Sequence, residues 1–351
     1  MAMRPPNTLA LITSFRCTAA CSECCFSCSP IAKSPLMSLR RMKHYIDTAL
    51  TCFGESLRLL VITGGECFLL GAKLRLIVAY AAKRGLLVRV VTNAYWATSY
   101  GKAFRMLKHL KRLGLSEVNF STGDEHSAWV PMDNVIYGSM AACELGVTCI
   151  VNVEQHGQDN AYYDQFMSDP RIANLSTSHS PDRFRVIAGI WMPTSNPERG
   201  KNAEASNRLP IPDSMRACDS LLTTITLSPH GELYACCGLT VRRNSYLQRP
   251  LPLYPTCEQL MSAYRSFLDD FLLLWISVKG AHSVYQSCCI KGVPEGMAWS
   301  KNAFGIHSCA VCRILFSRPM LERVSSAYKA HRAEVFSRLD LGDALAGKLT
   351  N

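Results

Sequence analysis

Long apolar runs are missing from this 351-residue sequence: the longest uncharged apolar stretch, 271–278, falls far short of the roughly 20 residues a membrane-spanning helix needs. The amino terminus carries no secretory signal either, because the apolar run 9–12 gives way at once to polar residues and Cys17. These absences argue against a membrane protein and against a secreted, disulfide-stapled scaffold, so a cytoplasmic, reducing compartment is the expectation. There is no internal repeat and no low-complexity tract. Acidic residues are in deficit, 27 against 38 Lys and Arg, for a net charge of +11. The basic residues are scattered without the aromatic interleaving of a nucleic-acid surface, so neither nucleic acid nor membrane is expected as a partner. What the sequence has in excess is cysteine, 17 residues. In a reducing compartment, crowded cysteines bind metal or carry out redox chemistry more often than they form bridges.

With 48% hydrophobic and 19% charged residues, the chain is long enough for one large α/β domain with an appendage. Apolar, β-rich runs recur at 9–13, 57–63, 86–92, 117–121, 147–153 and 184–191. Most are continuously apolar, as parallel strands covered on both faces require. Helical spacing fills the intervals at 38–50, 74–83, 100–113 and 134–145. Ser38 is the expected N-cap of the first, with Leu39, Met42, Tyr45, Ile46 and Ala49 on one face. The third has a basic face of Lys102, Arg105, Lys108, Lys111 and Arg112, ordinarily a solvated one. Six strands alternating with helices predict a right-handed βα repeat, partly or fully closed into a barrel, with its site at the carboxyl ends of the strands. After 191 the rhythm breaks into a polar, proline-rich linker. A second cysteine-bearing region follows from Cys218 to Cys312, and an amphipathic helix at 320–339 ends the pattern.

Directly after the first strand, one loop holds Cys17, Cys21, Cys24, Cys25 and Cys28. Three thiolates in a tight loop at the mouth of a barrel can hold three irons of a cubane cluster and leave the fourth open. The spacing Cys-x3-Cys-x2-Cys at this place resembles the radical S-adenosylmethionine (radical SAM) superfamily over residues 8–195. Two registers overlap, Cys17/Cys21/Cys24 and Cys21/Cys25/Cys28. The first is preferred because Cys17 stands four residues past Thr13. Neither has the family's aromatic residue before its last cysteine, where Glu23 or Ser27 stands. Thr63-Gly64-Gly65-Glu66 resembles the Gly-Gly-Glu motif that holds the methionyl ammonium of SAM, with Cys67 in place of the usual proline. Two glycines permit close backbone approach, and a carboxylate pairs with a cationic amine. Thr92-Asn93-Ala94 is similar to the family's Thr-Asn-Gly turn. Ser121 and Asp124 stand in a segment that resembles the one facing the SAM ribose and substrate; Asn152 and Glu154 are weaker candidates for the same pocket. His126 is read equally as a site residue or an ordinary loop histidine.

Cys218, Cys236, Cys309 and Cys312, with Gly231 in a hairpin turn, resemble the shortened twitch form of the SPASM extension, which implies one auxiliary [4Fe-4S] cluster. A structural four-cysteine zinc site is the alternative. The resemblance therefore implies a partial (βα)6 radical SAM barrel at 8–195, a linker at 196–217, a SPASM/twitch-like auxiliary-cluster domain with an insertion at 218–316, and a C-terminal helix at 317–351. Cys52, Cys67, Cys143 and Cys149 are read as small core hydrophobes. Cys237, Cys288 and Cys289 are the candidates to pass a thiol hydrogen atom to a substrate radical.

The implied cofactors are a SAM-binding [4Fe-4S] cluster, SAM and the auxiliary cluster, with a flavodoxin- or ferredoxin-type reductant. The implied activity is reductive cleavage of SAM to a 5′-deoxyadenosyl radical that abstracts hydrogen from a ribosomally synthesised peptide, giving a cross-link, a thioether or an epimer. No leader-binding domain of about 80 residues precedes the barrel, so leader recognition is expected to need either a separate leader-binding protein or the insertion at 240–308. Two alternatives stand beside this one: a small-molecule dehydrogenase of the aminocyclitol type, and a non-enzymatic iron-sulfur or zinc protein.

Overall fold

A computed structural model describes residues 5–22, 24–155, 161–190, 217–239, 241–289 and 308–348. Six parallel strands form its centre: β1 (Thr8–Ile12), β2 (Leu59–Thr63), β3 (Leu87–Thr92), β4 (Leu115–Thr122), β5 (Thr148–Gln155) and β6 (Phe184–Ile190). They lie in sequential order, the arrangement that right-handed βα crossovers generate. Leu9, Ala10, Leu11 and Ile12 of β1 are fully buried, as a strand covered on both faces must be. Among the described residues no strand pairs with the outer edge of β6, so the sheet is open.

Helix α1 (Leu39–Phe53) begins where expected. The Ser38 hydroxyl accepts from Arg41 N–H at 3.2 Å, and Met42, Tyr45, Ile46 and Ala49 are buried beneath it. Helices α2 (Ala72–Lys83), α3 (Tyr100–Arg112) and α5 (Met132–Glu144) follow the next strands, with the single turn α4 (Asp124–Ser127) between β4 and α5. On α3 the residues Ala103, Leu107 and Leu110 face the core and the basic side chains face water. Two short helices, α6 (Ala161–Ser168) and α7 (Pro170–Ser178), connect β5 to β6.

The cysteine-bearing second region continues the same sheet. Strand β7 (Thr224–Leu227) runs parallel to β1, with Thr8 opposite Thr224, on the side away from β2. Then β8 (Glu232–Tyr234) and β9 (Gln248–Pro250) add antiparallel strands. The β7–β8 turn contains Gly231 at φ 82°, a conformation that favours glycine. Helices α8 (Cys257–Leu268), α9 (Phe271–Lys279), α10 (Ala281–Cys289), α11 (Ser308–Leu315) and α12 (Arg318–Lys348) complete the described chain. The longest apolar run is α9, whose Leu272, Leu273, Leu274, Trp275 and Ile276 are buried. No described helix is long and apolar enough to cross a membrane. Cys52 is not the isolated core thiol expected: it forms a disulfide with Cys257, tying α1 to α8 with Cα atoms 5.5 Å apart. The linker expected at 196–217 lies, except for its last residue, outside the described residues.

Candidate active site

Parallel strands end together, so their following loops converge at one end of the sheet. There they enclose a cavity of about 420 Å³. Cys17, Cys21, Cys24, Cys25 and Cys28 line it from the loop after β1, Gly64 and Gly65 from the loop after β2, and Thr92 and Asn93 from β3. Ser121 and His126 enter from the β4 side, Asn152 from β5, and Cys237 from beyond β8.

The first two loops are stitched together. Gly65 N–H donates to Ser14 O at 2.8 Å, and Glu66 N–H donates to Arg16 O at 3.0 Å. Asn93 Nδ2 donates to Thr18 Oγ1 at 3.0 Å and approaches Cys17 Sγ at 3.6 Å. Within the cysteine loop, Cys28 N–H donates to Cys24 Sγ at 3.3 Å. The Cys28 thiol also bonds Cys24, and this is the main reason Cys24 is lowered to about 6 against its burial. Burial pushes Cys17 up to about 11 and raises Cys21 as well. Burial raises Cys25 too, followed by the charges of Cys24, Cys237 and Cys309.

Glu66 does not line the cavity. Its fully buried carboxylate accepts from Phe68 N–H and Thr92 Oγ1 at 2.9 Å on one oxygen, and from Thr92 Oγ1 at 3.0 Å and Asn93 N–H at 2.9 Å on the other. It thereby ties the β2 loop to the β3 turn. Burial raises its pKa from 4.5 to about 7 despite these bonds. Between those values the folded chain holds a proton that the unfolded chain has released, so stability falls as pH rises through the window, by about 3 kcal/mol at most. Urea unfolding at pH 5 and pH 7 should show this loss in the natural chain. Glu66→Gln should flatten the slope while lowering stability at both pH values, since its amide turns a donor toward a donor.

Asp124 is also absent from the cavity wall. In its place the buried pair His126 Nδ1–Glu154 Oε2, at 2.8 Å, stands behind the β4 loop. Three further supports had no signal in the sequence. Trp96 stacks on Phe68 with ring centroids 4.3 Å apart and donates Nε1 to Thr92 Oγ1 at 3.1 Å. Arg242 lies 3.8 Å from the Phe15 ring centroid and donates to Phe26 O, and Arg243 donates to Ser27 Oγ at 2.8 Å. Guanidinium groups from the second region thus clamp the cysteine loop.

The second set of thiols gathers behind this clamp. Cys236 is buried, and a Cβ placed on Gly238 would lie 3.3 Å from Cys236 Sγ and 3.4 Å from Cys309 Sγ. Cys218 and Cys312 act electrostatically on the same group. The adjacent Cys237 instead faces the cavity. Cys288 packs against the core outside the cavity wall, and the side chain of Cys289 lies outside the described residues.

Among the described residues no three His, Cys, Asp or Glu side chains converge on a single point as one bound ion requires. The donors in the first loop stand around a volume, and thiolates spread about a cavity suit the corners of a polynuclear iron-sulfur cluster. The cradle fits as well: at Gly65 a Cβ would fall 1.9 Å from Arg16 O, so the motif loop approaches the cysteine loop as closely as backbone can.

Six parallel strands in sequential order, with a cysteine loop after the first and a Gly-Gly-Glu turn after the second, are the arrangement anticipated from the motifs. No protein-family model matches the chain. The chain is similar to YydG of Bacillus subtilis (strain 168), named for peptide biosynthesis, with 26% identity over 131 residues, 37% of this chain and 40% of the relative. Among solved structures, Streptococcus suis SuiB bound to S-adenosylmethionine aligns over 67% of this chain and 61% of its own, at 14% identity and a TM-score of 0.44. BtrN in complex with AdoMet and 2-DOIA aligns over 67% of this chain and 74% of its own, at 13% identity and a TM-score of 0.36.

Proposed function

We propose that this chain is a radical SAM enzyme that modifies a ribosomally made peptide. The observation that carries the enzyme reading is the shared cavity, in which Cys17, Cys21 and Cys24 face Gly64, Gly65, Thr92 and Asn93. The peptide assignment draws on the similarity to YydG, a protein named for peptide biosynthesis. When bound, the cluster and SAM supply a 5′-deoxyadenosyl radical that takes hydrogen from the substrate.

The chain's own residues do the rest. Cys17, Cys21 and Cys24 are the cluster ligands, and the Gly64-Gly65 backbone with Asn93 and Ser121 orients SAM. Glu66 acts from behind, holding Thr92 and Asn93 in place. Cys218, Cys236, Cys309 and Cys312 hold an auxiliary [4Fe-4S] cluster, which a flavodoxin- or ferredoxin-type reductant serves. Cys237 gives its thiol hydrogen atom to the substrate radical from the cavity wall. Of the three peptide outcomes, epimerisation uses that atom directly: one Cα–H bond breaks with its hydrogen going to the 5′-deoxyadenosyl radical, one forms from S–H, and the thiyl left on Cys237 takes one electron from the reductant and one proton from water.

Cys237→Ala tests this assignment. With a substrate peptide, 5′-deoxyadenosine release should persist while deuterium incorporation from D2O into product drops by about 100-fold. Full turnover by the variant would remove Cys237 from the mechanism. The dehydrogenase reading would instead be favoured by substrate oxidation with no solvent hydrogen retained.

A further inference from the structure

The cysteine loop is held at its midpoint by a carboxylate that the motif does not contain. Ser22 N–H, between Cys21 and Cys24, donates to Glu125 Oε2 at 3.0 Å. Glu125 is in turn fixed through its own backbone N–H, which donates to Glu154 Oε1. The other oxygen of Glu154 meets His126 Nδ1 at 2.8 Å, and the Glu154 side chain is fully buried. The turn rests on this carboxylate so closely that only glycine fits: Gly123 has φ 140°, and a Cβ there would fall 2.0 Å from Glu154 Cγ. A path of two contacts therefore runs from the end of β5, through the turn α4, to the backbone between two candidate cluster ligands, with His126 bracing its start. Glu125 and Glu154 do not line the cavity, so substrate contact does not account for them.

We infer that Glu125 and Glu154 are positioning residues that fix the cluster loop and set the reduction potential of the cluster it holds; this rests on the radical SAM reading above. Glu154 anchors the turn, and Glu125 transmits the anchor to Ser22. A backbone amide needs only an oxygen acceptor, which glutamine would provide. A carboxylate adds negative charge next to Cys21, and negative charge beside an iron-sulfur cluster disfavours the added electron. Outer-shell partners of this kind orient ligands and tune the metal they hold.

The test uses the full chain, reconstituted anaerobically with iron and sulfide, and needs no substrate. Glu125→Gln keeps the acceptor and removes the charge. It should retain iron at the natural level, with the EPR-monitored midpoint potential of the SAM-binding cluster shifted positive. Glu125→Ala removes both, and should lose that cluster to a chelator about 10-fold faster while circular dichroism stays unchanged. An unmoved potential in Glu125→Gln would overturn the tuning role, and unmoved iron retention in Glu125→Ala would overturn the holding role. Failure of the natural chain to take up any cluster would instead overturn the radical SAM reading, and this inference with it.

Discussion

Replacing Cys17, Cys21 or Cys24 individually by alanine should lower 5′-deoxyadenosine formation by roughly two orders of magnitude, while Cys28→Ala should retain most of it. The sequence alone leaves two registers open, all five thiols line the cavity, and the first register is the one proposed here. Cys17 sits at the seam with the Gly-Gly-Glu loop, where Glu66 N–H reaches Arg16 O and Asn93 approaches its sulfur. Cys24 has its sulfur supported by Cys28 N–H at 3.3 Å and by the Cys28 thiol, which lowers its pKa to about 6. Cys28 is 5% exposed and acts as a donor to its neighbour, so its own thiol is raised. Iron counting on each variant checks the assignment. If Cys25→Ala and Cys28→Ala lose the cluster while Cys17→Ala keeps it, the second register is the ligand set.

The parallel strands were legible where they are buried apolar runs followed by a polar turn, as β1 is, since burial on both faces leaves little sequence freedom; β3 and β4, whose burial alternates, were legible by their place in the βα rhythm. The Ser38 cap and the buried face beneath it were legible for a similarly local reason. Strand β7 was not: four residues beyond a long linker carry no period, and its pairing with β1 is set by tertiary contact. Helix α9 is apolar on every side, so it has no amphipathic signature to read. Glu125 escaped notice for a different reason, and Glu154 was read only as a pocket residue. A carboxylate gripping a backbone amide 103 residues away leaves no spacing pattern in either segment. The disulfide between Cys52 and Cys257 is equally silent, with 205 residues between its partners. At Cys236 and Cys237 neighbouring residues diverge, with one sulfur beside Cys309 and the other on the cavity wall.

Gly65→Ala should be the most damaging single methyl group in the cavity wall. Its Cβ would lie 1.9 Å from Arg16 O, 2.4 Å from Arg16 C and 3.0 Å from Cys17 N, all backbone atoms that no rotamer can move aside. Relief requires separating the β1 and β2 loops, which breaks Gly65 N–H to Ser14 O and Glu66 N–H to Arg16 O and draws Cys17 away from Asn93. The expected cost is about 3 kcal/mol, at the upper end for an overpacked site, measurable as a lower urea midpoint. SAM affinity by calorimetry on reconstituted protein should fall with it. Gly71→Ala provides the contrast. That residue has φ 57° but no atom within 4 Å of the added methyl, so the backbone strain of roughly 1–2 kcal/mol is its whole effect, and SAM affinity should not change. Equal losses of SAM affinity in the two variants would mean that general destabilisation, rather than contact between the two loops, governs the site.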